Sequence, residues 1–259
     1  MVPLSNGLPY WFFHRFGGEL EGTTLTASDR LVWNKVDPAR VIGCVSFVAG
    51  EVVGPSYSRW LSKWPPSKAT LTFGGISPSG EPSSTGHSAE ALAALFEASE
   101  VPLGTRVLPA GGVEIRREVF EKLMVNASVN TLCTLARADC GELTGSDGLR
   151  RALRRVCSEV HSLAAAMTPP IALRADADSV LQKYDRQFGL IPSMLQDLRA
   201  ARPLEHEAIV CALVALAERL DVEVPTLDLL ASLLHVLDPG AAGGPSERRS
   251  TGCGRQTLS

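Results

Sequence analysis

The chain has 259 residues, 45% hydrophobic and 20% charged, with a formal net charge of −3 at pH 7. This is ordinary globular composition, enough for one large domain or two modest ones. It lacks the basic footprint of a nucleic-acid binder and the polybasic patch of a membrane anchor, and no apolar run approaches the ~20 residues of a membrane span. The opening Met1-Val-Pro-Leu-Ser-Asn-Gly7 has neither the basic start nor the apolar core of a secretory signal. Six cysteines, at 44, 133, 140, 157, 211 and 253, contain no CxxC pair. Most lie in apolar runs, which predicts free thiols in a reducing cytoplasm.

Taken in chain order, the first part reads as mixed α/β. Val2 to Leu4 is a very short apolar strand closed by a turn at Ser5-Asn-Gly7, and the aromatic stretch Pro9 to Phe16 opens a helix. Arg40-Val-Ile-Gly-Cys-Val-Ser-Phe-Val-Ala49 has the β-branched character of a buried strand. Glu51 to Ser56 continues as a second strand, and Ala69 to Gly74 forms another before a Gly/Pro/Ser loop to Gly86. Ser88 to Glu97 is a capped amphipathic helix, and Thr105 to Leu108 a final edge strand. From Ile115 the pattern is helical, with helices near 115–137, 145–166, 174–187, 191–199, 203–220 and 225–236. The boundary falls at Pro109-Ala-Gly-Gly112, giving domains at 1–110 and 111–237, followed by a Gly/Pro-rich tail at 238–259 that composition reads as disordered.

The densest chemistry lies in Glu121-Lys-Leu-Met-Val-Asn-Ala-Ser-Val-Asn130. Lys122, Asn126 and Asn130 are spaced by four, so on a helix they share one face. The remaining positions are almost all apolar, the mark of a buried helix. Two readings stand: a solvated stripe, or a polar line kept because a ligand fits against it. Asn is a poor helix former, and an unpartnered buried polar group costs ~1–3 kcal/mol, which favours the second. A second segment, Ile191 to Val210, places Pro203 where a helix can start, with Glu205 and Glu207 in its first turn. Complementing the helix dipole accounts for one of the two glutamates; the functional reading has Glu205 facing a cleft with Ser193 near it. His206-Glu207 lacks a second histidine at the zincin spacing, so no metal site is predicted, and neither a Walker loop nor GxGxxG occurs.

These segments resemble the 2-dehydropantoate 2-reductase, or ketopantoate reductase, family across most of residues 2–236. Pro3-Leu-Ser-Asn-Gly7 is similar to the family's asparagine-glycine turn, and Arg40 to Ala49 to the strand beside the nicotinamide. Glu121 to Asn130 with Gly141-Glu-Leu143 resembles the catalytic helix. Ser193-Met-Leu-Gln-Asp-Leu-Arg199 with Arg202-Pro-Leu-Glu205 resembles the substrate and cofactor clamp. The resemblance implies a Rossmann-type α/β domain, here partial, followed by an all-α domain of the 6-phosphogluconate-dehydrogenase type. It implies NADPH-dependent reduction of 2-dehydropantoate, or a related 2-oxo acid, to pantoate on the route to pantothenate and coenzyme A.

By the same resemblance Lys122 is the general acid, and Asn126, Asn130 and Ser193 hold the substrate. Asn6, the backbone at Ala49, and Glu205 touch NADP. The expected partners are a small 2-oxo acid and a second copy in a homodimer, without nucleic acid or membrane.

Two departures are visible. The family often has asparagine just before Gly-Glu-Leu, where this chain has Cys140. Family members also open with a strand and a Gly-rich phosphate loop that precede the asparagine-glycine turn, and this sequence starts at that turn. The expectation is a misplaced start, a truncated and inactive remnant acting at most as a helical dimerisation module, or a half completed by a separate chain, in that order.

Overall fold

A computed structural model of the chain describes residues 1–48, 50–54, 57–60, 70–76, 84–99, 104–109 and 112–241. These fall into two compact units. The first is Met1–Ser5 with Tyr10–Val119, and the second is Asn6–Pro9 with Phe120–Ser259. The tail expected from 238 lies outside the described residues from 242 onward, as does Ala49.

In the first unit, α1 (Ala27–Trp33) is started by a capping box in which Thr26 and Asp29 exchange side-chain to backbone hydrogen bonds. Five strands follow in chain order, β1 (Ile42–Phe47), β2 (Gly50–Gly54), β3 (Tyr57–Trp60), β4 (Thr70–Gly75) and β5 (Gly104–Val107), with α2 (Ser84–Glu97) between the last two. The order β1-β4-β5 makes a mixed sheet, β1 antiparallel and β5 parallel to β4, while β2 and β3 form a separate hairpin. Ile42, Cys44, Leu71 and Phe73 pack against Ala89 and Ala93 of α2, so the β-branched run read from sequence is a buried strand.

Gly43 and Gly74 are paired across β1 and β4. A side-chain carbon at either would come within 2.8 Å of Ile115, so two glycines let the helix from Val113 press on the sheet. Beside them Arg116 is buried. It donates from Nε to the Phe12 carbonyl at 2.8 Å and from Nη2 to that of Ile76 at 3.2 Å, and burial pulls its pKa down to about 10.

Two readings of this part are corrected. Val2 to Leu4 forms no strand, although Ile42 N donates to Met1 O at 2.9 Å and Val2 packs on the sheet core. Pro9 to Phe16 is a string of turns rather than a helix. Phe12, Phe13 and Phe16 pack on one another as a compact aromatic knot, and Arg15 at φ 52° breaks any helical run.

The second unit is helical. It takes up the end of α3 (Val113–Val125), then a π-helical turn at Asn126–Asn130 and α4 (Thr131–Ala136). After these come α5 (Cys140–Gly145), α6 (Asp147–Ala166), α7 (Ala177–Tyr184) and α8 (Ser193–Arg199). A second π turn at Glu207–Cys211 leads into α9 (Ala212–Leu220), and α10 (Pro225–Leu237) follows. The long amphipathic α6 buries Leu153, Val156, Val160 and Leu163 and packs against α5, α7, α9 and α10. Its Glu159 accepts the backbone N–H groups of Thr226 and Leu227 at 2.9 and 2.8 Å, capping α10 from outside.

Cys44, Cys133, Cys140 and Cys157 are buried free thiols. Cys211 departs from the free-thiol reading, because it is disulfide-bonded. No described helix is long and apolar enough to cross a membrane.

Candidate functional site

The polar line on α3 ends in a change of helical pitch. Residues 126–130 form a π turn, in which backbone bonds reach five residues back, and such turns often mark functional sites. Hydroxyls line the widened turn. Ser128 Oγ donates to Met124 O at 2.7 Å, and Thr134 Oγ1 to Asn130 O at 2.6 Å. The two asparagines read as neighbours are neighbours, with Asn130 Nδ2 donating to Asn126 Oδ1 at 3.3 Å. Asn126 is 6% exposed, and its own Nδ2 is buried without a partner. Lys122, one α-helical turn earlier, is half-buried.

The second π turn packs against the first. Onto it sits the asparagine-glycine turn. Leu8 N donates to Ala208 O at 2.8 Å. Gly7 has φ +83°, and a side-chain carbon there would lie 2.3 Å from that same carbonyl oxygen. Only glycine permits this seat. It delivers Asn6, whose Nδ2 donates to Glu205 Oε2 at 2.7 Å across 199 residues of sequence. Glu205 is exposed, and among the described residues its Oε1 takes no hydrogen bond.

Pro203 does not start the helix. The helical run begins at His206, and Glu205 precedes it. Ser193 is exposed as the first residue of α8, which packs on the Asn126–Asn130 turn and on α4. Asp197 of α8 grips Arg202 at both Nε and Nη2, at 2.8 and 2.6 Å, bracing the loop toward Glu205.

Cys140 is 1% exposed and hydrogen-bonded with Cys133, whose pKa is raised by that contact and then by burial. It is an inert core pair and presents no thiol to solvent. Ala49 lies outside the described residues, so nothing places it at the site. No cluster of His, Cys, Asp or Glu suited to a metal occurs among the described residues.

Residues 114–238 match the family model for the ketopantoate reductase PanE/ApbA C-terminal domain. A 2-dehydropantoate 2-reductase of Mesorhizobium japonicum is 30% identical over 239 residues, covering 92% of this chain and 68% of the relative. The chain belongs to the ketopantoate reductase family. The family's solved structures agree. A Ralstonia solanacearum protein assigned to the ketopantoate reductases superposes with a TM-score of 0.75 at 26% identity, over 93% of this chain and 68% of that one. The 2-dehydropantoate 2-reductase of Geobacter metallireducens shares the fold, with a TM-score of 0.69 at 24% identity over 91% and 67% of the two chains. The mixed sheet and helical unit are therefore a ketopantoate-reductase-like fold, in a family of nicotinamide-dependent oxidoreductases.

The sequence reading missed the two π turns. Nothing in residue spacing distinguishes a π turn from the α-helix around it. It also missed the seat on Ala208, although Asn-Gly followed by an apolar residue signals a tight turn.

Proposed function

We propose that this chain serves NADPH-dependent reduction of a 2-oxo acid, 2-dehydropantoate to pantoate, in pantothenate and coenzyme A biosynthesis. The observation that carries the reading is the buried, unpartnered Nδ2 of Asn126, one turn from Lys122 and flanked by the buried apolar residues Leu123, Met124, Val125 and Ala127. An amide donor left unmet there costs ~1–3 kcal/mol unless an acceptor arrives, and a carboxylate or carbonyl oxygen is such an acceptor.

In this mechanism the substrate carboxylate and hydroxyls rest on Asn126, Asn130 and Ser193. The Lys122 ammonium faces the 2-oxo group, stabilises the alkoxide that develops and gives its Nζ proton to that oxygen. The donor set also fits a nicotinamide nucleotide. Asn6 would offer its amide, and the open Oε1 of Glu205 would accept from a ribose hydroxyl or carboxamide. The bound nucleotide supplies the hydride.

The test is oxidation of NADPH at 340 nm with 2-dehydropantoate and simple 2-oxo acids, by a version extended upstream with the strand and Gly-rich phosphate loop, because the 259-residue chain alone is expected to bind NADPH poorly. Turnover is expected, with Lys122→Ala lowering kcat by about 10²- to 10⁴-fold while leaving the fold intact. Absence of turnover with every 2-oxo acid would overturn the reading.

A second reading, a catalytically inactive module that pairs through its helices, draws on α10. Leu229, Leu233 and Val236 are 58%, 46% and 81% exposed at i, i+4 and i+7, one apolar face. Sedimentation showing a dimer that Leu233→Glu dissociates, in a protein without turnover, favours it. A dimer with turnover fits a homodimeric reductase.

A further inference from the structure

Glu205 is exposed and stands in irregular backbone between Pro203 and the helical run from His206. No helix or strand of its own fixes where it points, yet its partner Asn6 lies at 2.7 Å. The two residues on either side of it are buried, Leu204 at 6% and His206 at 3% exposure. Both meet one carboxylate. Asp238, the residue that ends α10, accepts Leu204 N–H at Oδ1 at 2.9 Å. Its Oδ2 lies 3.6 Å from His206 Nδ1. That nitrogen also lies 3.4 Å from the Leu204 carbonyl oxygen. Both oxygens are acceptors, so Nδ1 is the ring nitrogen suited to carry the imidazole proton.

Asp238 is itself held. Its Oδ1 accepts Gly240 N–H at 3.0 Å, closing a turn. That turn lies against Pro203, where a side-chain carbon at Gly240 would come within 2.9 Å of the proline ring. Thus Pro203, Leu204 and His206 all rest on the Asp238–Gly240 turn, while the carboxylate of Glu205 meets Asn6.

We propose that Asp238, acting with His206, is a positioning residue for Glu205: it clamps the residues on both sides so that the carboxylate is aimed at Asn6. The consequence for catalysis rests on the reductase reading above, whereas the positioning itself does not. A carboxylate left to swing over several rotamers would meet a bound hydroxyl only part of the time, and a misplacement of about 1 Å can cost up to ~100-fold in rate.

The test reads Asn6 directly. The side-chain amide protons of Asn6, assigned by their loss in Asn6→Ser, give a hydrogen-bonded NMR signal in the native protein. Glu205→Gln sets the position expected when the carboxylate is gone. Asp238→Ala should move the Asn6 signal toward that position, and Asp238→Asn, which keeps an oxygen for Leu204 N–H, should largely restore it. His206→Ala, which removes one side of the clamp, should move it part of the way. Glu159→Ala weakens the same helical unit at the other end of α10, and it should leave the signal in place.

In turnover, Asp238→Ala should lower kcat/KM by up to about 100-fold in the native background and hardly at all beside Glu205→Gln. An Asn6 signal unmoved in both Asp238→Ala and His206→Ala overturns the proposal, as does an effect that simply adds to Glu205→Gln. Absence of turnover in the version extended upstream overturns the reductase reading alone, since the Asn6 signal of the chain itself still decides the positioning.

Discussion

His206 is a buried imidazole whose Nε2 meets no partner. Burial lowers its pKa, opposed mainly by Asp238, then by the Leu204 carbonyl and Glu207, and assisted by His235. His14 in the first unit is also lowered, chiefly by burial. A histidine whose folded pKa lies below its unfolded value of about 6.5 is held neutral by the fold. The unfolded chain takes up a proton that the folded chain refuses. Stability is therefore full above about pH 6.5 and is lost as the pH falls from there through the lower folded value. Urea unfolding at pH 7.5 and 5.5 is expected to show this loss, and His206→Gln is expected to reduce it. A loss unchanged in that variant would assign the pH dependence to other groups.

At the scale of elements, α10 depends on a residue that is not its own. Val224 offers no side-chain cap and Pro225 occupies the first position, so the N–H groups of Thr226 and Leu227 rely on Glu159 of α6. Glu159→Ala is expected to cost ~1–3 kcal/mol, read as a lowered urea midpoint without change in slope.

Elements also show what the sequence makes legible. The strand at Ile42–Phe47 stands out as a short β-branched run bounded by turn signals, and the long helix at Asp147–Ala166 because its apolar residues recur at period 3.6. Two short helices were overlooked although each carries a capping box, Thr26 with Asp29 and Asp139 with Glu142. Their apolar faces are too short to register as periodic. The aromatic knot at 10–16 was misread for the opposite reason, since residue type suggested a helix while tertiary packing chose turns. In the candidate site the spacing of Lys122, Asn126 and Asn130 was visible. The family resemblance puts Asn6 and Glu205 each at the cofactor but does not pair them; their contact comes from the structure alone, because 199 residues separate the partners and local pattern carries no such information.

At the scale of the whole molecule, a ligand that binds only the folded chain adds to its stability. At 100 times its Kd this amounts to about 2.7 kcal/mol. For the version extended upstream, NADPH with a 2-oxo acid is expected to raise Tm by several degrees. The gain should shrink in Asn126→Ala, which removes the orphaned donor. An equal gain in that variant would place the ligand elsewhere.

The four residues Asn6–Pro9 belong to the helical unit although the chain on both sides of them belongs to the other. The backbone thus passes between the units three times, after Ser5, after Pro9 and after Val119. No single protease cut or cloning boundary can yield the helical unit whole. A fragment begun at Phe120 would leave the Ala208 carbonyl bare and Glu205 without its amide. Four residues supplied as a separate peptide, or spliced onto the fragment's front, would be the missing piece of its architecture.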